Sequence, residues 1–125
     1  MNLLLDTHAL LWWLDDDPDL SKTARDAVAD GRNLVLVSAA SIWEIGIKRA
    51  SGKLVVPADF RDVLSRQPFL FLDITAEHAH AVSDLPLHHR DPFDRMLIAQ
   101  ASMERLTIIT RDDLIKQYDI PVIDA

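Results

Sequence analysis

Four carboxylates, Asp6, Glu44, Asp94 and Asp112, stand where an enzyme could put them to work. Asp6 closes the apolar run Asn2–Leu5, and Asp112 follows the run Thr107–Ile109 after Thr110 and Arg111. Glu44 falls early in the segment after the apolar run Leu34–Val37, and Asp94 falls at the entry to the longest periodic segment, Asp91-Pro92-Phe93-Asp94. Anions brought together repel by roughly 1 kcal/mol or more per close pair, and burial pushes them to take up protons. A hard divalent cation relieves both effects. Mg²⁺ or Mn²⁺ takes carboxylate oxygens as ligands while keeping water and substrate phosphate. Such a set therefore suits metal-assisted phosphodiester hydrolysis, in which the ion lowers the pKa of an attacking water. Thr7 and Thr110 place hydroxyls beside these acids, and Ser41 and Asp91 lie close in sequence to Glu44 and Asp94.

Each acid also has a quieter reading. Ser41-Ile42-Trp43-Glu44 fits a capping box, with Glu44 returning a hydrogen bond to the Ser41 amide. Asp91 fits an N-cap, with Pro92 at the first helical position and Asp94 favoured by the helix dipole. Asp112 fits the cap of a short helix. Asp6 has no routine capping duty at the end of a buried strand. Thr7, Thr110 and Ser41 fit ordinary turn or cap chemistry as well as support of the acids.

The elements that must position these groups can be read from the pattern. Strands are expected at Asn2–Leu5, Leu34–Val37, Phe69–Leu72, Thr107–Ile109 and Pro121–Ile123. Helices are expected at Ala9–Leu14, from an N-cap at Ser21 to Ala29, at Ile42–Ala50, Ala58–Arg66, Thr75–Leu85, Pro92–Leu106 and Asp113–Tyr118. Gly31 and Gly52 sit where helix ends favour positive φ, and Pro86–Arg90 reads as a polar loop. Strands apolar on both faces that alternate with helices imply a mainly parallel sheet covered on both sides, a three-layer α/β/α sandwich. Ligands in such sheets sit beyond the carboxyl ends of the strands, which is where the four acids should converge.

Length, composition and charge narrow the function. The chain has 125 residues, 49% of them hydrophobic, with no repeat or linker, so one domain over residues 1–125 is expected. It has no cysteine, which excludes a disulfide scaffold, thiolate zinc and a cysteine nucleophile. Residues 1–6 lack the flanks of a signal peptide and no apolar run spans a membrane, so a cytoplasmic protein is expected. The net charge of −7 leaves no broad basic surface for nucleic acid. Lys48, Arg49 and Lys53 form the best local basic group, read as a solvated helix face, followed by Arg90 and Arg95. His78, His80, His88 and His89 read as solvated surface, since none has zinc-helix spacing; His8 adjoins Asp6, with a pocket wall and a place under the first helix both open. Trp12 and Trp13 point roughly 100° apart on a helix, so one should enter the core and the other offer a contact surface.

The stretches Leu4-Leu5-Asp6-Thr7-His8-Ala9-Leu10, Ser41-Ile42-Trp43-Glu44-Ile45, Asp91-Pro92-Phe93-Asp94-Arg95-Met96-Leu97-Ile98-Ala99-Gln100-Ala101 and Thr110-Arg111-Asp112 resemble those of PIN-domain proteins, particularly VapC-type toxins. The resemblance runs in order over nearly the whole chain. It implies a Mg²⁺- or Mn²⁺-dependent ribonuclease with Asp6, Glu44 and Asp94 as core acids and Asp112 as the fourth. It also implies a homodimer, an RNA substrate and a cognate antitoxin. A PIN nuclease for RNA maturation and a non-catalytic interaction module are the alternatives. Aspartate-nucleophile phosphatases need Asp-x-Asp, and His8 stands at the second position. Receiver domains need a paired acidic motif and a lysine near the last strand, which are absent.

Overall fold

In the computed structural model, which describes residues 1–125, five parallel strands form one sheet in the order β3-β2-β1-β4-β5. The strands are β1 (Asn2–Leu5), β2 (Leu34–Ser38), β3 (Leu70–Leu72), β4 (Thr107–Thr110) and β5 (Val122–Asp124). The helices are α1 (Thr7–Leu14), α2 (Lys22–Ala29), α3 (Ala39–Ala50), α4 (Phe60–Ser65), α5 (Ala76–Ser83) and α6 (Pro92–Glu104). The segment expected as a helix over Asp113–Tyr118 is a single 3-10 turn, Ile115–Gln117.

Alternation along the strands splits the core in two. Leu3, Leu5 and Ile109 point to a cluster with Leu10, Ala24 and Leu64, whereas Leu4 and Ile108 point to a second cluster with Leu97, Ile98 and Tyr118. Helices cover both faces, as strands without a polar side require. The sheet is wholly parallel, and β1 pairs Leu5 with Val37 on one side and with Ile109 on the other. The strand order reverses between β1 and β4. At such a switch point the loops leave the sheet in opposite directions and open a crevice at its carboxyl edge.

Several local expectations change at helix ends. Helix α3 follows β2 without a loop and is capped by Ser38, whose Oγ accepts from the Ala40 N–H at 3.0 Å. Ser41 therefore caps nothing; its hydroxyl is buried without a hydrogen-bond partner. Gly31 lies outside the positive-φ region, because α2 ends at Ala29 with Asp30 already extended. Gly52 does adopt φ 77° after α3. Helix α6 stops before Leu106, with Arg105 in the left-handed region at φ 56°. Ser21 and Asp91 cap α2 and α6 as expected, and Thr75 caps α5.

Candidate active site

The chain leaves β1 at Leu5 and turns at once into α1, with Asp6 as the N-cap. Its Oδ1 accepts from the Ala9 N–H at 2.8 Å. An acid expected to have no capping role therefore has one, since no loop separates strand from helix. Its other oxygen, Oδ2, accepts from the hydroxyl of Thr110, the last residue of β4. The same Thr110 oxygen accepts from the Asp112 N–H at 3.0 Å. One threonine thus ties the acid after β1 to the acid after β4 across the switch point.

Glu44 faces this crevice from α3. Its Oε1 accepts from the Thr7 hydroxyl at 2.6 Å, and its Oε2 meets the Lys48 ammonium one turn later. It is therefore not part of a capping box, and Lys48 is not a solvated cation of the helix face. Asp94 enters from the first turn of α6, oriented by the cap, where Asp91 Oδ1 accepts from the Asp94 N–H at 2.9 Å. Asp6 and Glu44 are 5% and 4% exposed, and the Asp94 and Asp112 side chains 20% and 33%. Asp6, Glu44, Asp91, Asp94 and Asp112 line a cleft of about 500 Å³ with Thr7, His8, Lys48, Arg111 and Trp12. Ser41 does not line it.

Burial pushes the Asp6 carboxyl above its ordinary range, against the hydrogen bond from Thr110. Burial is also the main reason that Asp94 is pushed up to about 7; the negative charges of Asp91, Glu44 and Asp6 add to it and His89 opposes it. The hydrogen bond to Glu44 raises Lys48. The cleft thus gathers more negative charge than it can hold ionised without a cation. An all-oxygen donor set whose burial favours uptake of positive charge fits Mg²⁺ or Mn²⁺.

Arg111 lines the crevice and His89 lies behind its acids, and neither is singled out by sequence pattern. His89, expected at the surface, is 6% exposed. Its Nε2 lies 2.7 Å from Asp112 Oδ2 and 3.1 Å from Asp94 Oδ2. Its place two residues before the Asp91 cap is the only hint the sequence carries. His78 is likewise buried: its ring completes the α5 cap and reaches Glu104 at 2.9 Å. His80 and His88 are exposed as expected. Arg95 is no rim cation: its guanidinium donates to Val82, Pro86 and His89 carbonyls and so clamps the loop that carries His89. Arg111 lies over Trp12, 4.4 Å from the ring centroid.

Beside the acidic cleft lies a more apolar one of about 340 Å³, lined by Leu11, Leu54, Val56, Phe60 and others. The two share His8 and Trp12. Trp12 and Trp13 are both half-buried, so neither belongs wholly to core or surface; Trp13 packs on Phe69 and donates to Gln67.

Comparison with known proteins gives the following. The PIN domain family matches residues 3–121. No curated protein matches by sequence. Among solved structures, the fold is similar to VapBC2 from Rickettsia felis bound to a promoter DNA fragment, at a TM-score of 0.73 and 15% identity over 98% of each chain. DNA-bound VapBC from Salmonella typhimurium gives 0.72 and 16%, covering 99% of this chain and 98% of that one. A toxin–antitoxin complex from Klebsiella pneumoniae gives 0.68 and 18%, covering 98% and 96%.

Proposed function

This chain belongs to the PIN domain family, and from that premise we propose that it is a divalent-metal-dependent endoribonuclease, the toxin of a toxin–antitoxin pair. The observation that carries the reading is the meeting of Asp6, Glu44, Asp94 and Asp112 in one cleft at the switch point of the sheet. Asp6, Glu44 and Asp94 are the residues that hold Mg²⁺ or Mn²⁺, with Asp112 as the fourth acid. When bound, the ion supplies a water of lowered pKa and neutralises charge that builds on the phosphate.

The chain's own groups prepare that site. Thr7 and Thr110 fix the Glu44 and Asp6 carboxylates by donating to one oxygen of each. Each of those oxygens keeps a further lone pair for a cation. Lys48, beside Glu44, and Arg111, which donates to the Ala125 and Asp19 carbonyls with Nε and Nη2, are the lysine and the arginine that line the cleft. With a net charge of −7 the remaining surface repels RNA, so affinity comes from these groups and the ion.

The toxin assignment is supported by the similar folds, whose structures are of VapBC and toxin–antitoxin complexes. It is supported too by the apolar cleft that runs into the acidic one at His8 and Trp12. An antitoxin segment with an apolar helix face fits the first cleft, and an Arg or Lys following it fits the acids of the second. The working form in this reading is a cytoplasmic homodimer. The test is incubation of purified protein with single-stranded RNA. Cleavage is expected with Mg²⁺ or Mn²⁺ and none in EDTA; cleavage that persists in EDTA contradicts the reading.

A further inference from the structure

The cleft has two halves that differ in how they are closed. On one side Asp6, Glu44 and Asp94 face the opening. On the other, the oxygens of Asp94 and Asp112 and the Nε2 of His89 lie within 4.8 Å of one another. This second triad has the composition of a metal site, yet the hydrogen bonds around His89 argue against a histidine ligand. The ring's Nδ1 accepts from the Asp91 backbone N–H at 3.1 Å. An amide donor aimed at Nδ1 leaves that nitrogen without a hydrogen, so the ring hydrogen sits on Nε2. It donates to Asp112 Oδ2 at 2.7 Å and lies 3.1 Å from Asp94 Oδ2. A ligating histidine needs the opposite tautomer, with Nε2 bare toward the ion and Nδ1–H donating to an acceptor.

His89 is also held from several directions. Its backbone N–H donates to the Tyr118 hydroxyl at 2.9 Å, and its carbonyl accepts from Arg95 at 3.1 Å. Asp112 is equally committed: its Oδ1 accepts from the Leu114 N–H at 2.8 Å while Oδ2 meets His89. For a cation to sit between Asp94 and Asp112, the ring must break its bonds to Asp91 and Asp112 and leave its contact with Asp94, and at 6% exposure it is packed in place.

We propose that His89 is a built-in plug: its Nε2–H, donated to Asp112 and held against Asp94, closes the space between these two acids to metal and limits the chain to one divalent ion on the Asp6–Glu44–Asp94 side. The proposal rests on the metal-dependent reading above and deepens it. Asp94 belongs to both halves, so the plug also lies against the carboxylate that the single ion uses. Asp112 acts by positioning His89, and becomes available to a cation only when the ring is removed.

The test is calorimetric titration of Mn²⁺ into the wild-type chain, His89→Ala and His89→Ala/Asp112→Asn. One ion per chain is expected for the wild type, two for His89→Ala and one again for the double variant. Two ions in the wild type, or one in a folded His89→Ala, overturns the plug. A wild type that takes no ion sinks the metal-dependent reading instead; the plug then stands if His89→Ala gains an ion and falls if it gains none. A second readout needs no substitution. The ¹⁵N–¹H spectrum of the wild-type imidazoles should show His89 with hydrogen on Nε2 and bare Nδ1, with and without Mg²⁺. Loss of the Nε2 hydrogen on adding Mg²⁺ would make His89 a ligand and overturn the proposal.

Discussion

Replacing Asp94 by Asn should stabilise the metal-free protein at neutral and higher pH, although it removes a group that the active cleft needs. The folded pKa of Asp94 is pushed from 3.8 to about 7. Between those values the folded state holds a proton that the unfolded chain has released, so stability falls as pH rises through the window. Below pH 4 the carboxyl is neutral in both states and costs little; above pH 7 the full cost of ionising it in the fold is present. A displacement of about 3 pH units corresponds to an upper limit of roughly 4 kcal/mol. The side chain is 20% exposed, and solvent screening lowers the expectation to about 2 kcal/mol. Asn keeps the shape and can still accept from His89 Nε2. Urea unfolding in EDTA should therefore show Asp94→Asn close to wild type at pH 4 and about 2 kcal/mol more stable at pH 8. Adding Mg²⁺ at pH 8 should stabilise wild type and barely move the variant. A variant less stable than wild type at pH 8, or a difference that does not grow from pH 4 to pH 8, would refute the reasoning.

Removing an acid that holds the ion should matter far more than removing the nearest histidine: Asp6→Asn is expected to lower RNA cleavage at least about 100-fold and His8→Ala less than about tenfold, measured under single turnover. Arg95→Ala should cost about 2–4 kcal/mol in urea unfolding, because it leaves several carbonyls of the 82–89 segment without their charged donor; a loss under about 0.5 kcal/mol would return Arg95 to the solvated surface. Expression of the chain alone should arrest growth, with Asp94→Asn relieving the arrest. A wild-type chain that is harmless when expressed alone and brings down no small partner would favour a role in RNA maturation.

The central layer was legible because its strands have no polar face. Leu3-Leu4-Leu5 and Val35-Leu36-Val37 leave a covered parallel sheet as their only comfortable setting, and the convergence of the four acids follows from that topology. Helix ends were harder. The three-residue spacing from Ser41 to Glu44 points to Ser41 as the cap of α3, and only the direct passage from β2 into the helix decides for Ser38. Asp6 does two jobs, capping α1 with one oxygen and facing Thr110 with the other, and a one-role reading sees half of it. His78 and His89 were misplaced for a different reason. A buried imidazole needs partners remote in sequence: Glu104 lies 26 residues from His78, and Asp112 lies 23 from His89. Arg95 was counted among the local basic residues, whereas its donors are spent on loop carbonyls remote in sequence.

The account stands on water, made nucleophilic by an ion held on carboxylates, as the group that breaks RNA. RNA cleaved in H₂¹⁸O and examined by mass spectrometry at early times tests that step directly. Attack by water requires linear phosphate monoester ends that carry one ¹⁸O from solvent in the first product formed. The same result is expected when the sugar at the cleaved position is 2′-deoxy, since its hydroxyl takes no part. A 2′,3′-cyclic phosphate that forms first, carries no solvent oxygen and disappears with the 2′-deoxy substrate would show the RNA's own hydroxyl as nucleophile and contradict the account.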